Sequence, residues 1–178
     1  MLIAAVLTIA TIVLLALALL SPARAEPDNS TRGLAAAAKI GRLAPDVTLM
    51  GLDGRPVSVS SLRGKVVILN FWYIACDGCR TEFPALEQAY QAHSAEGLVI
   101  LGVNPVDSAK DMKTFATATS LTYPVVADAS QRTVITYNVT KTPSSYVIDR
   151  HGVIRYLSVG PLDHDTIENV TRPLLIAK

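Results

Sequence analysis

The chain has 178 residues, enough for one folded domain and an N-terminal extension. Its 16 basic and 15 acidic residues give a net charge of +1 and form no basic run, so the composition argues against a protein that binds nucleic acid. Apolar residues are concentrated near the N-terminus, which raises the hydrophobic fraction of the whole chain to 50%.

The chain opens with an uncharged stretch, residues 2–20, whose only polar side chains are Thr8 and Thr11. As a helix this stretch would measure roughly 28 Å, close to the hydrocarbon thickness of a bilayer. Signal-peptide cores are usually shorter, although residues 23–25 (Ala-Arg-Ala) have the form of a cleavage site. We therefore predict a transmembrane anchor or a signal peptide over residues 1–20. We favour the anchor, which would attach the protein to a membrane through residues 2–20.

The basic residues bear on which side of the membrane the chain faces. None precedes the apolar stretch and several follow it, beginning with Arg24, which by the positive-inside rule favours a cytoplasmic domain. Because the stretch otherwise has the character of an export signal, we predict an extracytoplasmic domain, periplasmic or on the outer face of a bacterial-type cell. Residues 21–39 contain prolines and small polar residues and predict a tether, so the domain would span residues 40–178.

Strand and helix patterns alternate along this domain. Residues 66–72 are apolar on both faces, as expected of a central strand covered by helices on both sides. The pattern predicts an α/β fold with a central mixed β-sheet flanked by helices. Its predicted elements are strands at 45–49 and 57–59 around an Asp53-Gly54 turn, a helix at 80–95 interrupted by Pro84, a strand at 98–103, a helix capped by Asp107 or Ser108, a strand at 123–127, a helix from Ser130 to Tyr137, a hairpin of 144–149 and 153–157, and a helix from Asp163 that Pro173 bends or ends.

Cys76 and Cys79 are the only cysteines of the chain. They follow the predicted central strand and begin the predicted helix, where unpaired backbone N–H groups and the helix dipole favour a thiolate. Two thiols one helical turn apart can also close into a disulfide. This context predicts a redox-active dithiol–disulfide pair, in which Cys76 attacks a substrate disulfide and Cys79 resolves the mixed disulfide.

Metal-binding alternatives have less support. A zinc site needs two further ligands with paired spacing, and His93, His151 and His164, which we predict to lie on the surface, show no such spacing. We therefore predict no metal and no cofactor. A Cu(I)-binding module stays open as an alternative function, because two thiolates suit Cu(I) and Met50 or Met112 could add a soft ligand.

Two further alternatives concern the cysteines alone. A purely structural disulfide would close a very short loop and so would stabilise the fold less than a long one. A thiol peroxidase of the peroxiredoxin type needs Thr or Ser three residues before its reactive cysteine, where this chain has Tyr73. The sequence disfavours both without excluding them.

Four motifs stand in a fixed order along the domain. They are residues 40–46 (IGRLAPD), residues 64–72 (GKVVILNFW), the pattern Cys76-x-x-Cys79-Arg80-x-Glu82-x-Pro84-x-Leu86, and residues 141–149 (KTPSSYVID). This set resembles the thioredoxin superfamily, and within it the TlpA/ResA branch of membrane-tethered, extracytoplasmic thiol–disulfide oxidoreductases, over about residues 40–178. The resemblance implies a thioredoxin-like fold and a protein-disulfide oxidoreductase.

The resemblance also implies roles for residues outside the cysteine pair. Pro143 is similar to the family's cis-proline, which would place the backbone of Thr142 beside the sulfurs to pair with a substrate strand. Glu82 is similar to a family acid near the motif and becomes a candidate catalytic residue with the two cysteines. Trp72 joins Thr142 and Pro143 as a candidate substrate-binding residue.

Two positions depart from the family pattern. Ala75 stands where the family usually has Trp, and Gly78 stands where it usually has Pro. A carboxylate near Cys76, from Asp77 or Glu82, would raise the pKa of the thiol and make the couple more reducing, while Arg80 would act in the opposite sense. We favour a disulfide reductase. Its partners would be exported proteins with cysteines, such as apocytochromes c, and a membrane electron-donor protein, because the exported compartment is oxidising.

Overall fold

The computed structural model describes residues 33–177. The predicted anchor or signal peptide and residues 21–32 of the predicted tether lie outside that range. Among the described residues, no helix is long and apolar enough to cross a bilayer. The strands are β1 (Thr48–Gly51), β2 (Pro56–Ser58), β3 (Val66–Phe71), β4 (Leu98–Asn104), β5 (Val125–Ala127), β6 (Ser144–Ile148) and β7 (Ile154–Val159), and the α-helices are α1 (Asp77–His93), α2 (Ala109–Ala118), α3 (Arg132–Thr136) and α4 (His164–Ile176).

The described strands form one sheet in the order β2-β1-β5-β4-β3-β6-β7. Strands β3, β4 and β5 run parallel, and every other neighbouring pair is antiparallel. The predicted mixed sheet flanked by helices is therefore confirmed. Because β3 lies between β4 and β6 and is buried at every residue, its carboxyl end delivers the next loop to the centre of one sheet edge.

Alternation along β3 divides the core into two layers. Val66, Ile68 and Trp72 face the layer that contains apolar residues of α1, α2 and α4. Val67 and Phe71 face the opposite layer, to which α3 and the loops before β1 contribute. Each face buries its side chains against a different set of elements, which explains why the run shows no polar alternation.

Two helices pass through a proline. Helix α1 continues beyond Pro84 to His93, and α4 continues beyond Pro173 to Ile176. The helix predicted at 80–95 with Pro84 inside it is therefore confirmed, although it begins at Asp77 and ends at His93. Of the two outcomes predicted for Pro173, bending or ending its helix, the second is excluded. Each proline removes one backbone bond, but Phe83 and Leu86 are buried beside Pro84, and this packing offsets the lost bond.

The cap of α3 differs from the prediction. Ser130 was expected to cap this helix, but the N-cap is Gln131, which has a left-handed backbone and no capping side-chain bond. Asp128 does the capping instead, since its Oδ2 accepts from the backbone N–H groups of Thr133 at 3.0 Å and Val134 at 3.1 Å. The longer reach of the Asp128 side chain across the turn makes this possible.

The first strand also begins later than predicted. The expected strand at 45–49 is displaced to Thr48–Gly51. Ser108, by contrast, caps α2 as expected, with its Oγ accepting from the N–H of Asp111 at 3.1 Å. Residues assigned to the end of the tether already bond to the domain: Ala37 donates to the carbonyl of Leu43 at 2.9 Å.

Candidate active site

The two cysteines lie at the first turn of α1, immediately beyond the carboxyl end of β3. Cys76 is the N-cap residue, with extended backbone angles, and Cys79 lies within the first turn. The N–H groups of Cys79 and Arg80 both donate to the carbonyl of Cys76, at 3.1 and 3.2 Å. A loop of four residues from Trp72 to Ala75 therefore connects the central strand to Cys76.

Cys76 and Cys79 form a disulfide with an S–S distance of 2.02 Å. Cys76 is 5% exposed and Cys79 is fully buried, so Cys76 is the residue that an incoming sulfur can approach. The N–H of Cys79 lies 3.1 Å from Sγ of Cys76 and points at it. The same N–H would stabilise a thiolate on Cys76 once the disulfide opens.

The loop before β6 packs directly on this turn. The Thr142–Pro143 peptide bond is cis, the geometry that the family resemblance implied. A Cβ added at Gly78 would lie 3.3 Å from Cδ of Pro143 and 3.6 Å from Cγ of Pro161, so two prolines press against the middle of the Cys-x-x-Cys segment. Thr142 is partly exposed beside them. The predicted role of Thr142 and Pro143 in substrate binding stays a prediction.

Glu82 lies beneath the pair, one helical turn after Cys79, and has no exposed surface. Its Oε1 accepts from Nδ2 of Asn70 at 2.7 Å, and its Oε2 accepts from the N–H of Leu162 at 3.0 Å. Burial raises the pKa of Glu82 to about 7, against the hydrogen bonds from Leu162 and Asn70, which act to lower it. A group with this pKa can accept or release a proton at neutral pH.

Trp72 does not reach the surface. Its side chain is fully buried and packs edge-on against Phe83, with ring centroids 5.2 Å apart. It lies in the same apolar layer as both cysteines. In this structure Trp72 supports the site from below, and the predicted contact of Trp72 with a substrate stays untested.

Two polar residues of the site, Asn70 and Ser145, were not singled out from the sequence, and a third, Asp107, was given another role. Asn70 bonds to both Glu82 and Oγ of Ser145, the latter at 2.9 Å. The sequence feature that could have identified Asn70 is that it is the single polar residue in the six-residue apolar strand β3. Asp107 was expected to help cap α2, but its Oδ2 accepts from the N–H of Ile74, in the loop before Cys76, at 2.8 Å.

Metal-binding groups do not gather in the part of the chain that the structure describes. No cluster of three or more His, Cys, Asp or Glu side chains there has the arrangement of a metal site. Met50 is half exposed on β1, whereas Met112 is fully buried on α2. The His93 side chain, expected on the surface, is half-buried and bonds to Glu168 and Glu96.

The chain is similar to known thiol–disulfide proteins over most of the described domain. The AhpC/TSA family model matches residues 40–157. The thiol-disulfide oxidoreductase ResA of Geobacillus kaustophilus is 33% identical over 132 residues, which are 74% of this chain and 76% of that protein. The thioredoxin-like protein YneN of Bacillus subtilis is 36% identical over 131 residues, 72% of this chain and 76% of that protein.

A solved structure has the same arrangement of strands and helices. The crystal structure of a thiol:disulfide interchange protein, a thioredoxin family protein from Chlorobium tepidum, superposes with a TM-score of 0.68. It is 27% identical in sequence and covers 75% of this chain and 95% of its own. The fold described above is therefore shared with a protein of that kind.

Proposed function

The chain belongs to the AhpC/TSA family and has a thioredoxin-like fold, and from that premise we propose that it is an extracytoplasmic thiol–disulfide oxidoreductase that reduces disulfides of exported proteins. The observation that carries this proposal is the Cys76–Cys79 disulfide at the start of α1, with the Pro143 loop on one side and buried Glu82 beneath. The ResA and YneN relatives support the oxidoreductase class.

The reaction begins from the dithiol form. The Cys76 thiolate attacks one sulfur of a substrate disulfide, forms a mixed disulfide and expels the other substrate sulfur as a thiolate, which takes up a proton. Cys79, once deprotonated, attacks Sγ of Cys76 and expels the second substrate sulfur. The Cys76–Cys79 bond closes, and two electrons have moved from the protein to the substrate.

Glu82 is suited to the second step. Cys79 is fully buried, so water does not reach its thiol to remove the proton. Because Glu82 lies one turn further along α1 and its pKa is raised to about 7 by burial, it can take the Cys79 proton as the resolving thiolate forms. The protonated carboxyl would return that proton when the dithiol is regenerated.

The reducing direction rests on the same carboxylates. Above neutral pH a charged Glu82 beneath the sulfurs, with Asp77 in the first turn of α1, disfavours a second negative charge on a thiolate. Destabilising the thiolate form makes the couple a stronger reductant. A potential near thioredoxin's roughly −270 mV supports a reductant, whereas one near −120 mV would identify an oxidant.

The extracytoplasmic site and the membrane attachment rest on residues 2–20, an uncharged stretch long enough to span a bilayer. A disulfide reductase in an oxidising compartment needs a continuous electron supply, so its partners would include a membrane electron-donor protein. Its substrates would be exported proteins that must present free cysteines, among them apocytochromes c.

Trapping tests the cysteine roles directly. We expect the full-length Cys79→Ser variant, reduced and then mixed with oxidised insulin, to accumulate a mixed disulfide through Cys76, because the resolving thiol is missing. The matched Cys76→Ser variant should accumulate little, because Cys79 is buried. Non-reducing electrophoresis measures both. Equal trapping by the two variants would contradict the assignment.

The alternatives are distinguished in the same preparation. Consumption of hydrogen peroxide under a recycling reductant, without insulin reduction, would identify a thiol peroxidase. Tight one-to-one binding of Cu(I) by the reduced protein, again without insulin reduction, would identify a copper-binding module. Insulin reduction that requires both cysteines supports the proposed oxidoreductase.

A further inference from the structure

The backbone of Ile74, two residues before the attacking cysteine, is held on both sides by charged side chains. Its N–H donates to Oδ2 of Asp107 at 2.8 Å. Its carbonyl accepts from Nε of Arg80 at 3.1 Å. Asp107 lies in the loop after β4 and Arg80 lies on α1, so the backbone of this one residue connects the loop before Cys76 to two separate elements.

Asp107 is itself held in place by the end of β4. The same Oδ2 that accepts from Ile74 also accepts from Nδ2 of Asn104 at 2.8 Å. The Oδ1 of Asn104 accepts from the N–H groups of Val106 and Asp107, both at 2.9 Å, and closes a tight turn. Asn104 is 1% exposed and ends a central strand, so the carboxylate of Asp107 is oriented before it meets the loop.

Arg80 is oriented as well. Its guanidinium lies over the ring of Phe115 on α2, with 5.7 Å between Cζ and the ring centroid. The stacking restricts the side chain while its Nε remains directed at the Ile74 carbonyl. Both charged partners of Ile74 therefore have fixed positions.

The loop needs such support most when the disulfide is open. In the oxidised form the S–S bond ties Cys76 to the helix. In the dithiol and the mixed disulfide that bond is gone, and Cys76 is held by backbone bonds, such as its N–H to the carbonyl of Tyr73 at 3.2 Å, and by the fixation of Ile74.

We propose that Asp107 is a positioning residue for the redox reaction, which holds the loop of Cys76 so that Sγ of Cys76 stays within reach of Cys79 and of the Cys79 N–H after the disulfide opens. This inference rests on the proposed dithiol function and adds a residue to it. In this role Asp107 acts through the backbone N–H of Ile74 and not through a contact of its own with either sulfur.

Removing the side chain should change the thiol equilibrium. In Asp107→Ala the dithiol gains more freedom than the disulfide does, so ring closure becomes less favourable. We expect the equilibrium disulfide + 2 GSH ⇌ dithiol + GSSG to shift toward the dithiol by about three- to tenfold, the size expected for the net contribution of one ordinary hydrogen bond.

Asp107→Asn is the matched variant, because one amide oxygen can accept from both Ile74 and Asn104, as Oδ2 does now. It loses the charge but keeps the position. We expect its glutathione equilibrium to stay within about twofold of wild type. The pH midpoint for alkylation of Cys76 should lie higher in Asp107→Ala than in Asp107→Asn, because only the alanine variant releases the thiolate from the Cys79 N–H. The glutathione equilibria are compared below both midpoints, where Cys76 is a thiol and this difference does not favour the disulfide.

A second control separates positioning from general loss of stability. Asp149 likewise accepts a hydrogen bond from the backbone of a loop, but in the hairpin turn at the other end of β6: its partners are the N–H groups of His151 at 3.0 Å and Val153 at 2.8 Å. Asp149→Ala should lower the unfolding free energy and leave the glutathione equilibrium unchanged. Should Asp107→Ala not fold, Arg80→Met releases the Ile74 carbonyl from an exposed position. Measured below the alkylation midpoint, where the lost Arg80 charge does not act on a thiolate, the equilibrium should shift in the same direction.

The outcomes are distinguishable from failure of the function itself. A wild-type disulfide that never equilibrates with glutathione refutes the proposed oxidoreductase. A wild-type protein that equilibrates normally, with Asp107→Ala unchanged, overturns only the positioning role. Equal shifts in Asp107→Ala and Asp107→Asn would also overturn it, because charge rather than position would then be responsible.

Discussion

Glu82 can change its protonation state without losing its hydrogen bonds. In the charged form both carboxylate oxygens accept, one from Asn70 and one from Leu162. The Oδ1 of Asn70 is buried without a partner among the described residues. Turning the amide by 180° would present this acceptor to a protonated Glu82, and the hydroxyl of Ser145 can donate or accept in either orientation. The network therefore suits a group that gains and loses a proton during turnover.

Replacing this acid tests its raised pKa through stability. The pKa of Glu82 is about 7 in the folded protein, and its ordinary value, which applies to the unfolded chain, is 4.5. Between those pH values the folded state therefore holds a proton that the unfolded state has lost. The contribution of Glu82 to stability is therefore complete below pH 4.5 and is lost as pH rises through 7, by on the order of 3 kcal/mol. The Gln side chain of Glu82→Gln does not titrate, so the free energy of unfolding of this variant should rise relative to that of wild type as the pH increases from 4.5 to 7.

Urea denaturation of the oxidised proteins at pH 5 and pH 8 measures the difference. We expect Glu82→Gln to be more stable relative to wild type at pH 8 than at pH 5. Other titrating groups cancel, because the comparison is between two proteins at each pH. A difference that does not change with pH would show that burial leaves the pKa of Glu82 near its ordinary value.

At the scale of elements, the caps of the helices depend on contacts that sequence spacing does not specify. Asp128 is 3% exposed and closes the first turn of α3 with two hydrogen bonds, while Ser130, the predicted cap, is exposed. The position of the carboxylate is fixed by the Asp128 N–H, which donates to the carbonyl of Asn104 at 2.9 Å on the neighbouring strand. Because the capping side chain is positioned by a neighbouring strand, the sequence around α3 does not identify it.

The two candidate caps make a direct comparison. Asp128→Ala should lower the unfolding free energy by about 2 kcal/mol, because it leaves one buried and one partly buried N–H group without acceptors. Ser130→Ala should change it by less than about 0.5 kcal/mol, as exposed substitutions usually do. Denaturant unfolding measures both. A larger loss of unfolding free energy in Ser130→Ala than in Asp128→Ala would show that Ser130 caps the helix, as the sequence predicted.

Several elements could be predicted because their signals are local. The run at 66–72 is apolar on both faces because the sheet is covered on both sides, and the Asp53-Gly54 turn follows from the positive φ of Gly54. The partners of Glu82 could not be predicted, because Asn70 and Leu162 reach it from a strand and a loop far away in sequence. The same holds for Asp107, whose role depends on where β4 ends relative to the loop of Ile74.

At the scale of the whole molecule, the described N-terminal segment and the sulfurs lie at opposite ends of the sheet. Ser144 pairs with Phe71 next to the cysteine loop, and Ile148 pairs with Val67, roughly 13 Å further along the strand. The hairpin turn lies beyond Ile148, and there the segment before β1 is bound. It bonds through Gly41 to the carbonyl of Ile154 at 2.8 Å, and Ala44 bonds to Gly152 at 2.9 Å.

Truncation separates these two ends. A protein that begins at Pro45 loses these bonds and the burial of Ala44, and we expect its unfolding free energy to fall by about 2–4 kcal/mol relative to one that begins at Gly33. Its equilibrium with glutathione should stay within about twofold, because the change lies far from the sulfurs. A large change in that equilibrium with unchanged stability would show that the segment acts on the active site.

The place where the segment joins the domain governs how the enzyme would face a lipid surface. If residues 2–20 remain embedded, the domain is tethered at its hairpin end, opposite the dithiol. When that end faces the bilayer, a donor in the same bilayer reaches the dithiol only after the domain has turned over. The chain between residue 20 and Ala36 spans at most about 55 Å when extended, more than the roughly 35–40 Å width of such a domain, so its length permits this rotation.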